Sequence, residues 1–110
     1  MAVNKAKLEK TMLDLGHTEA CRGTEYLRLA FDLYEPDIAM CKELYPTIAE
    51  AAGSTATRVE RSMRHSIESA WLRGNPSMQH EVFGYSIDPA RGRPTVKEYL
   101  GRMTRYCSAD

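Results

Sequence analysis

Apolar residues recur along most of this chain at the spacing of helices. Leu8, Met12, Leu13 and Leu15 predict a first helix over 4–15, which Gly16 would end in a left-handed cap. Tyr26, Leu27, Ala30, Phe31 and Tyr34 follow an i, i+1, i+4, i+5, i+8 pattern and predict a second. It stops at the Glu35-Pro36 pair, because a residue before proline avoids the helical region. Ile38, Ala39, Cys41, Leu44 and Tyr45 continue the pattern up to Pro46. Proline lacks an amide hydrogen and clashes with the carbonyl four residues back, so Pro46 either starts the next helix or kinks it. Ile48, Ala49 and Ala52 are expected to point inward before Gly53 breaks the pattern. Val59, Met63, Ile67, Ala70 and Trp71 then resume it, with Trp71 expected in the core, until Gly74 and the Asn75-Pro76 stop. A short helix over 78–85 and a turn-rich basic loop, DPARGR, over 88–93 come next. Thr95 and Glu98 have capping-box spacing and start a last helix carrying Val96, Tyr99, Leu100, Met103 and Tyr106. No segment alternates as a half-buried strand does, so the fold class is all-α.

The run from Tyr45 to Asn75 is more specific than amphipathicity alone. Small Ala49 lies four residues before Gly53, apolar Val59 six residues after it, and Met63 one turn further on. A small residue lets two helices cross closely, glycine supports the turn between them, and the apolar pair seats the second helix on the first. That is the pattern of a helix-turn-helix. Around helix 56–73, at about 100° per residue, Val59, Met63, Ile67 and Ala70 share a narrow arc, and Arg58, Arg61, His65 and Glu68 fall opposite. One face is core and the other is free to touch a partner.

Charge sharpens this picture. Fifteen basic and fifteen acidic residues cancel, so no global positive field announces a nucleic-acid binder and any such site must be local. Three arginines against one glutamate between Arg58 and His65 supply a local excess. Arginine donates two hydrogen bonds to guanine O6 and N7, and glutamate accepts from the cytosine amino group. Glu60 has bland readings beside base contact, an i, i+4 ion pair with Arg64 or a capping partner for Thr57. Ser54, Thr55 and Thr57 open the helix, where hydroxyls cap free amides, the expected role of at least one, or donate to phosphates. Arg91 and Arg93 sit on a loop that could reach the DNA backbone.

Other classes are disfavoured. At 110 residues the chain is expected to form one domain over 1–110, with enough apolar residues, 43%, for a modest core. Cys21, Cys41 and Cys107 are odd in number and widely separated, which predicts reduced, buried thiols and neither a disulfide framework nor a zinc site. His17, His65 and His80 have no metal-ligand spacing, and no phosphate-binding glycine motif occurs, so the expectation is a protein without catalysis, cofactor or metal. The absence of an apolar leader or span predicts a soluble, cytoplasmic protein with no membrane partner.

The segment TATRVERSMRHSIESAWLRGN, Thr55 to Asn75, closely resembles the recognition helix of the C-terminal DNA-binding effector domain of the sporulation response regulator family, that of stage 0 sporulation protein A. LYPTIAEAAG before it, FGY at Phe83 to Tyr85, RPT at Arg93 to Thr95 and GTEYLRLA from Gly23 are also similar, so the resemblance covers about Leu13 to Met103. It implies a compact bundle of about six helices around a central helix-turn-helix, binding double-stranded promoter DNA in the major groove, often as tandem copies. It implies base reading by Arg58, Glu60 and Arg61, with Arg64 and His65 near the phosphate backbone, and contacts with RNA polymerase and its sigma subunit. The family's regulators carry an N-terminal receiver domain that nothing here supplies, which implies an excised effector domain or a stand-alone version. The competing reading is a receiver-less protein-interaction module that modulates a full-length regulator or the polymerase.

Overall fold

Side-chain caps and glycines set most of the helix boundaries in the computed structural model, which describes residues 3–84, 87 and 92–108. Asn4 accepts from the Lys7 amide and starts α1 (Lys5–Asp14). α2 (Arg22–Leu33) begins four residues before the first periodic apolar residue, because its first turn packs through Gly23 and Thr24, both buried. α3 (Tyr45–Ala52), α4 (Ala56–Arg73), α5 (Pro76–Phe83) and α6 (Val96–Tyr106) follow. Gly74 ends α4 and Asn75 caps α5, accepting from Ser77 N and Met78 N, with Pro76 at the first helical position. The Thr95–Glu98 capping box forms in both directions, at 3.2 and 2.8 Å. The described residues are all-helical apart from turns and one antiparallel bridge, Val3 with Ser108.

Pro46 resolves its two options together. Met40–Leu44 is a π-helical turn running directly into α3, whose second residue is Pro46. The wider turn carries Leu44 N to Ala39 O, five residues back, and keeps the chain helical up to the proline ring.

The core runs through all six α-helices. α4 is its axis, packed chiefly on α2 and α3 and closed by α6, which also meets α5 and α2. Tyr99 is fully buried at the centre, stacked on Phe83 at 5.8 Å and edge-on to Trp71 at 6.4 Å. Trp71 itself is half-buried against this core. Leu13, expected inward, is 64% exposed, because the α1 stripe is already filled by Leu8, Met12 and Leu15. Cys107 is buried, but Cys21 is half-buried and Cys41, on the π turn, is exposed, which corrects the expectation of three buried thiols. No described helix is long and apolar enough to cross a membrane.

Candidate nucleic-acid interface

The turn between α3 and α4 is built from the backbone outward. Gly53 lies in the left-handed region, φ 65° and ψ 40°. There the Ser54 amide donates to Ala49 O at 2.8 Å and the Gly53 amide to Glu50 O at 3.4 Å, closing the α3 carbonyls as a Schellman cap does. A Cβ at Gly53 would meet nothing within 4 Å, so only its conformation is demanding. Gly53→Ala should cost about 1 kcal/mol in thermal melts, and Gly53→Asn, whose side chain tolerates this region, distinctly less.

Thr55 then caps α4, its hydroxyl accepting from Arg58 N at 3.2 Å. Thr57 is exposed one step inside the helix, so the Thr57–Glu60 capping box does not form. Ser54 is half-buried beside the turn. Val59, Met63, Ser66, Ile67 and Ala70 are buried, which turns Arg58, Arg61, Arg64 and His65 to solvent.

The charged groups on that face differ in their engagements. Arg64 Nη1 donates to Glu60 Oε2 at 2.9 Å, forming the i, i+4 pair. Arg93 Nη2 donates to Glu68 Oε2 at 2.7 Å, tying the loop before α6 to the middle of α4. Glu68 is accordingly half-buried and belongs to this bridge more than to the open face. His65 Nε2 lies 3.4 Å from Ser69 Oγ. Arg58 and Arg61 make no ion pair with any described residue. Arg91 lies outside the described residues.

Ala52 corrects another expectation. It is exposed, and with Gly53, Ser54, Arg58, Arg61, Ser62, Tyr26 and Arg22 it lines a concavity of about 210 Å³. The turn at Gly53 lifts the end of α3 off the core, so the last periodic position faces the concavity. Arg22, at the start of α2, was not singled out from sequence. It lies in a stretch that reads as a polar connection, flanked by Glu19 and Glu25, and only tertiary folding brings it beside α4.

Behind the open face, α4 is tied to the rest of the bundle through polar atoms. Ser66 Oγ lies 2.9 Å from His17 Nδ1 and 3.2 Å from Thr24 Oγ1, and His17 Nε2 lies 2.7 Å from Tyr99 Oη. All four residues are buried. In a neutral ring one nitrogen donates and the other accepts, so the imidazole joins the Tyr99 and Ser66 hydroxyls into one hydrogen-bonded chain. Burial, and then the positive charges of Arg73 and Arg28, push His17 down to about 4, so the ring is neutral at pH 7. Burial also pushes the Tyr99 phenol well up.

A second concavity, about 520 Å³ between Tyr34–Pro36 and α6, shares no lining residue with this surface. Among the described residues no group of three or more His, Cys, Asp or Glu could hold a metal ion. What the arrangement offers is a capped helix end, seated by buried contacts, with two guanidiniums at its tip that pair with no described carboxylate. Residues 8–107 match the model of the family described as sporulation initiation factor Spo0A C terminal. That family is a DNA-binding effector domain of transcription regulation in sporulation. An all-helical bundle with α3 and α4 joined at Gly53, and a family match over nearly the whole chain, together make this protein a member of the Spo0A C-terminal family.

Proposed function

We propose that the protein is a sequence-specific, double-stranded DNA-binding transcription regulator that inserts the first turns of α4 into the major groove. The observation that carries this reading is the pair Arg58 and Arg61, exposed and without ion-pair partners among the described residues, one turn apart on a helix whose opposite face is core. Guanidiniums held this way can donate bidentately to guanine. Glu60 joins them as a base reader by exchanging its Arg64 partner for a cytosine amino group, which frees Arg64 for a phosphate. Ser54, Thr55, Thr57, His65 and, across its bridge to Glu68, Arg93 complete the backbone contacts. Tandem copies on adjacent sites and a contact with the polymerase sigma subunit extend this reading by family resemblance.

Binding to duplexes carrying the family's promoter element and to scrambled duplexes of equal length tests the reading. A preference of about 10³ or more is expected. Arg58→Ala and Arg61→Ala should each cost about 1–3 kcal/mol and relax preference at particular base pairs. Equal losses on specific and scrambled DNA would remove their base-reading role. Equal weak binding of the unsubstituted chain to both duplexes would favour the protein-interaction module instead.

A further inference from the structure

Arginines in this protein divide into two groups. Arg64 and Arg93 are paired with carboxylates across α4, and Arg28 takes three at once, Glu9, Glu19 and Glu25. Arg22 has no ion-pair partner among the described residues, although Glu19 and Glu25 lie three residues to either side of it in sequence. The reason is Arg28. Its Nε holds Glu9 at 2.9 Å, its Nη1 holds Glu25 at 3.1 Å and its Nη2 holds Glu19, so the carboxylates nearest Arg22 are turned away from it.

Arg22 is therefore left as an unneutralised charge, and it stands between two concavities. One is shared with Arg58 and Arg61 at the α3–α4 turn. The other, about 380 Å³, is shared with Thr18, His65, Ser69 and Arg73. Neither is lined by an Asp or Glu. Arg73 is fixed here through Nη2, which donates to Gly16 O at 2.8 Å. In a chain whose charges cancel overall, this concentrates unpaired cations along one flank of the recognition helix.

We infer that Arg22, kept free by the Arg28 carboxylate cluster, is a DNA phosphate contact that clamps the backbone beside the groove α4 enters. The inference rests on the DNA-binding reading above. An arginine outside the recognition helix that faces a carboxylate-free hollow adds affinity without reading sequence. Its charge releases counterions and so belongs in the salt dependence of binding. Arg28 is a positioning residue in this scheme. It never meets DNA, and it acts by keeping Glu19 and Glu25 off Arg22.

The test is a salt series on specific and scrambled duplexes with Arg22→Ala, Arg22→Lys and Arg28→Met, each checked for an unchanged helical spectrum and melt. Arg22→Ala should weaken both duplexes by the same factor, roughly five- to tenfold at moderate salt, and flatten the log–log salt slope by about 0.9. Arg22→Lys should restore the slope. Arg28→Met, if folded, should weaken binding in the same uniform way by releasing the carboxylates. An unchanged slope in Arg22→Ala, or a loss confined to the specific duplex, would overturn the clamp while leaving the DNA-binding reading intact. No binding by the unsubstituted chain to either duplex would overturn both.

Discussion

Gly23→Ala is expected to destabilise the fold by about 3 kcal/mol, at the top of the usual range for overpacking, although it adds one methyl group. α2 crosses α4 at Gly23 so closely that a Cβ there would fall inside the Ser62 carbonyl, with Ser62 C at 2.6 Å and Ser66 Cβ at 2.8 Å. The obstacle is backbone, which cannot swing aside as a side chain can. Relief requires α2 and α4 to separate, and that opens the most extensive helix contact in the molecule and pulls Ser66 from Thr24. Urea unfolding should show the midpoint falling with little change in slope. Gly101→Ala is the internal control. It too lies inside a helix, yet its Cβ would meet only the far end of the Tyr34 side chain, the hydroxyl at 3.1 Å and Cζ at 4.0 Å, which can move. Helix propensity favours alanine over glycine by about 1 kcal/mol, so this variant should be neutral or more stable. A Gly23→Ala protein as stable as the parent would refute the close crossing.

Acid should cost the protein about 3 kcal/mol between pH 6.5 and pH 4, a loss that begins well above the range where ordinary carboxylates titrate. His17 takes up a proton near pH 6.5 when the chain is unfolded but only near pH 4 when it is folded. Across that window the unfolded chain binds more protons, so stability is intact above pH 6.5 and falls by up to about 1.4 kcal/mol per pH unit as pH drops through the window. Below about pH 4 the folded ring protonates as well and the loss levels off. The neighbouring charges on Arg73 and Arg28 are positive throughout, so they oppose protonation at every point. The Glu19 carboxyl is held down by its hydrogen bond to Arg28, so its contribution is present above the ordinary carboxylate range and is lost as pH falls below that range. Denaturant midpoints at half-unit pH intervals would trace the slope. In His17→Gln, which keeps a donor and an acceptor but cannot titrate, the slope between pH 6.5 and about pH 5, above the carboxylate range, should vanish. A slope that persisted there would assign the acid sensitivity to other groups.

Much of this architecture can be read along the chain, because a helix writes its buried stripe locally. Val59, Met63, Ile67 and Ala70 announce the inner face of α4, and Thr95 with Glu98 announces the start of α6. Gly53 marks the turn for the same reason, since its left-handed backbone is a local demand. The π turn at Met40–Leu44 is not legible, because five residues of apolar spacing look the same in α and π registers. Neither is the true start of α2, where packing depends on what is absent from Gly23. Ala52 shows the limit from the other side, its periodicity fitting while the turn carries it outward.

The candidate site divides in the same way. Arg58 and Arg61 are visible as an outward stripe because their positions follow from one helix. Arg22 is not visible, since its neighbours Glu19 and Glu25 make it look neutral until Arg28 draws them off. The His17, Ser66 and Tyr99 assembly joins residues 49 and 82 positions apart, a relation no local pattern encodes.

The pairing of Val3 with Ser108, with Asn4 N donating to Cys107 O at 2.7 Å, brings the two ends of the described residues side by side. Force applied across those ends would act in the unzipping direction, meeting this bridge first and the contacts of Lys7 and Thr11 with Tyr106 and Cys107 one after another. Such a geometry yields at low load and peels α1 from α6 before any tension reaches the α2–α4 crossing. α4 is thus mechanically insulated from whatever pulls on the ends.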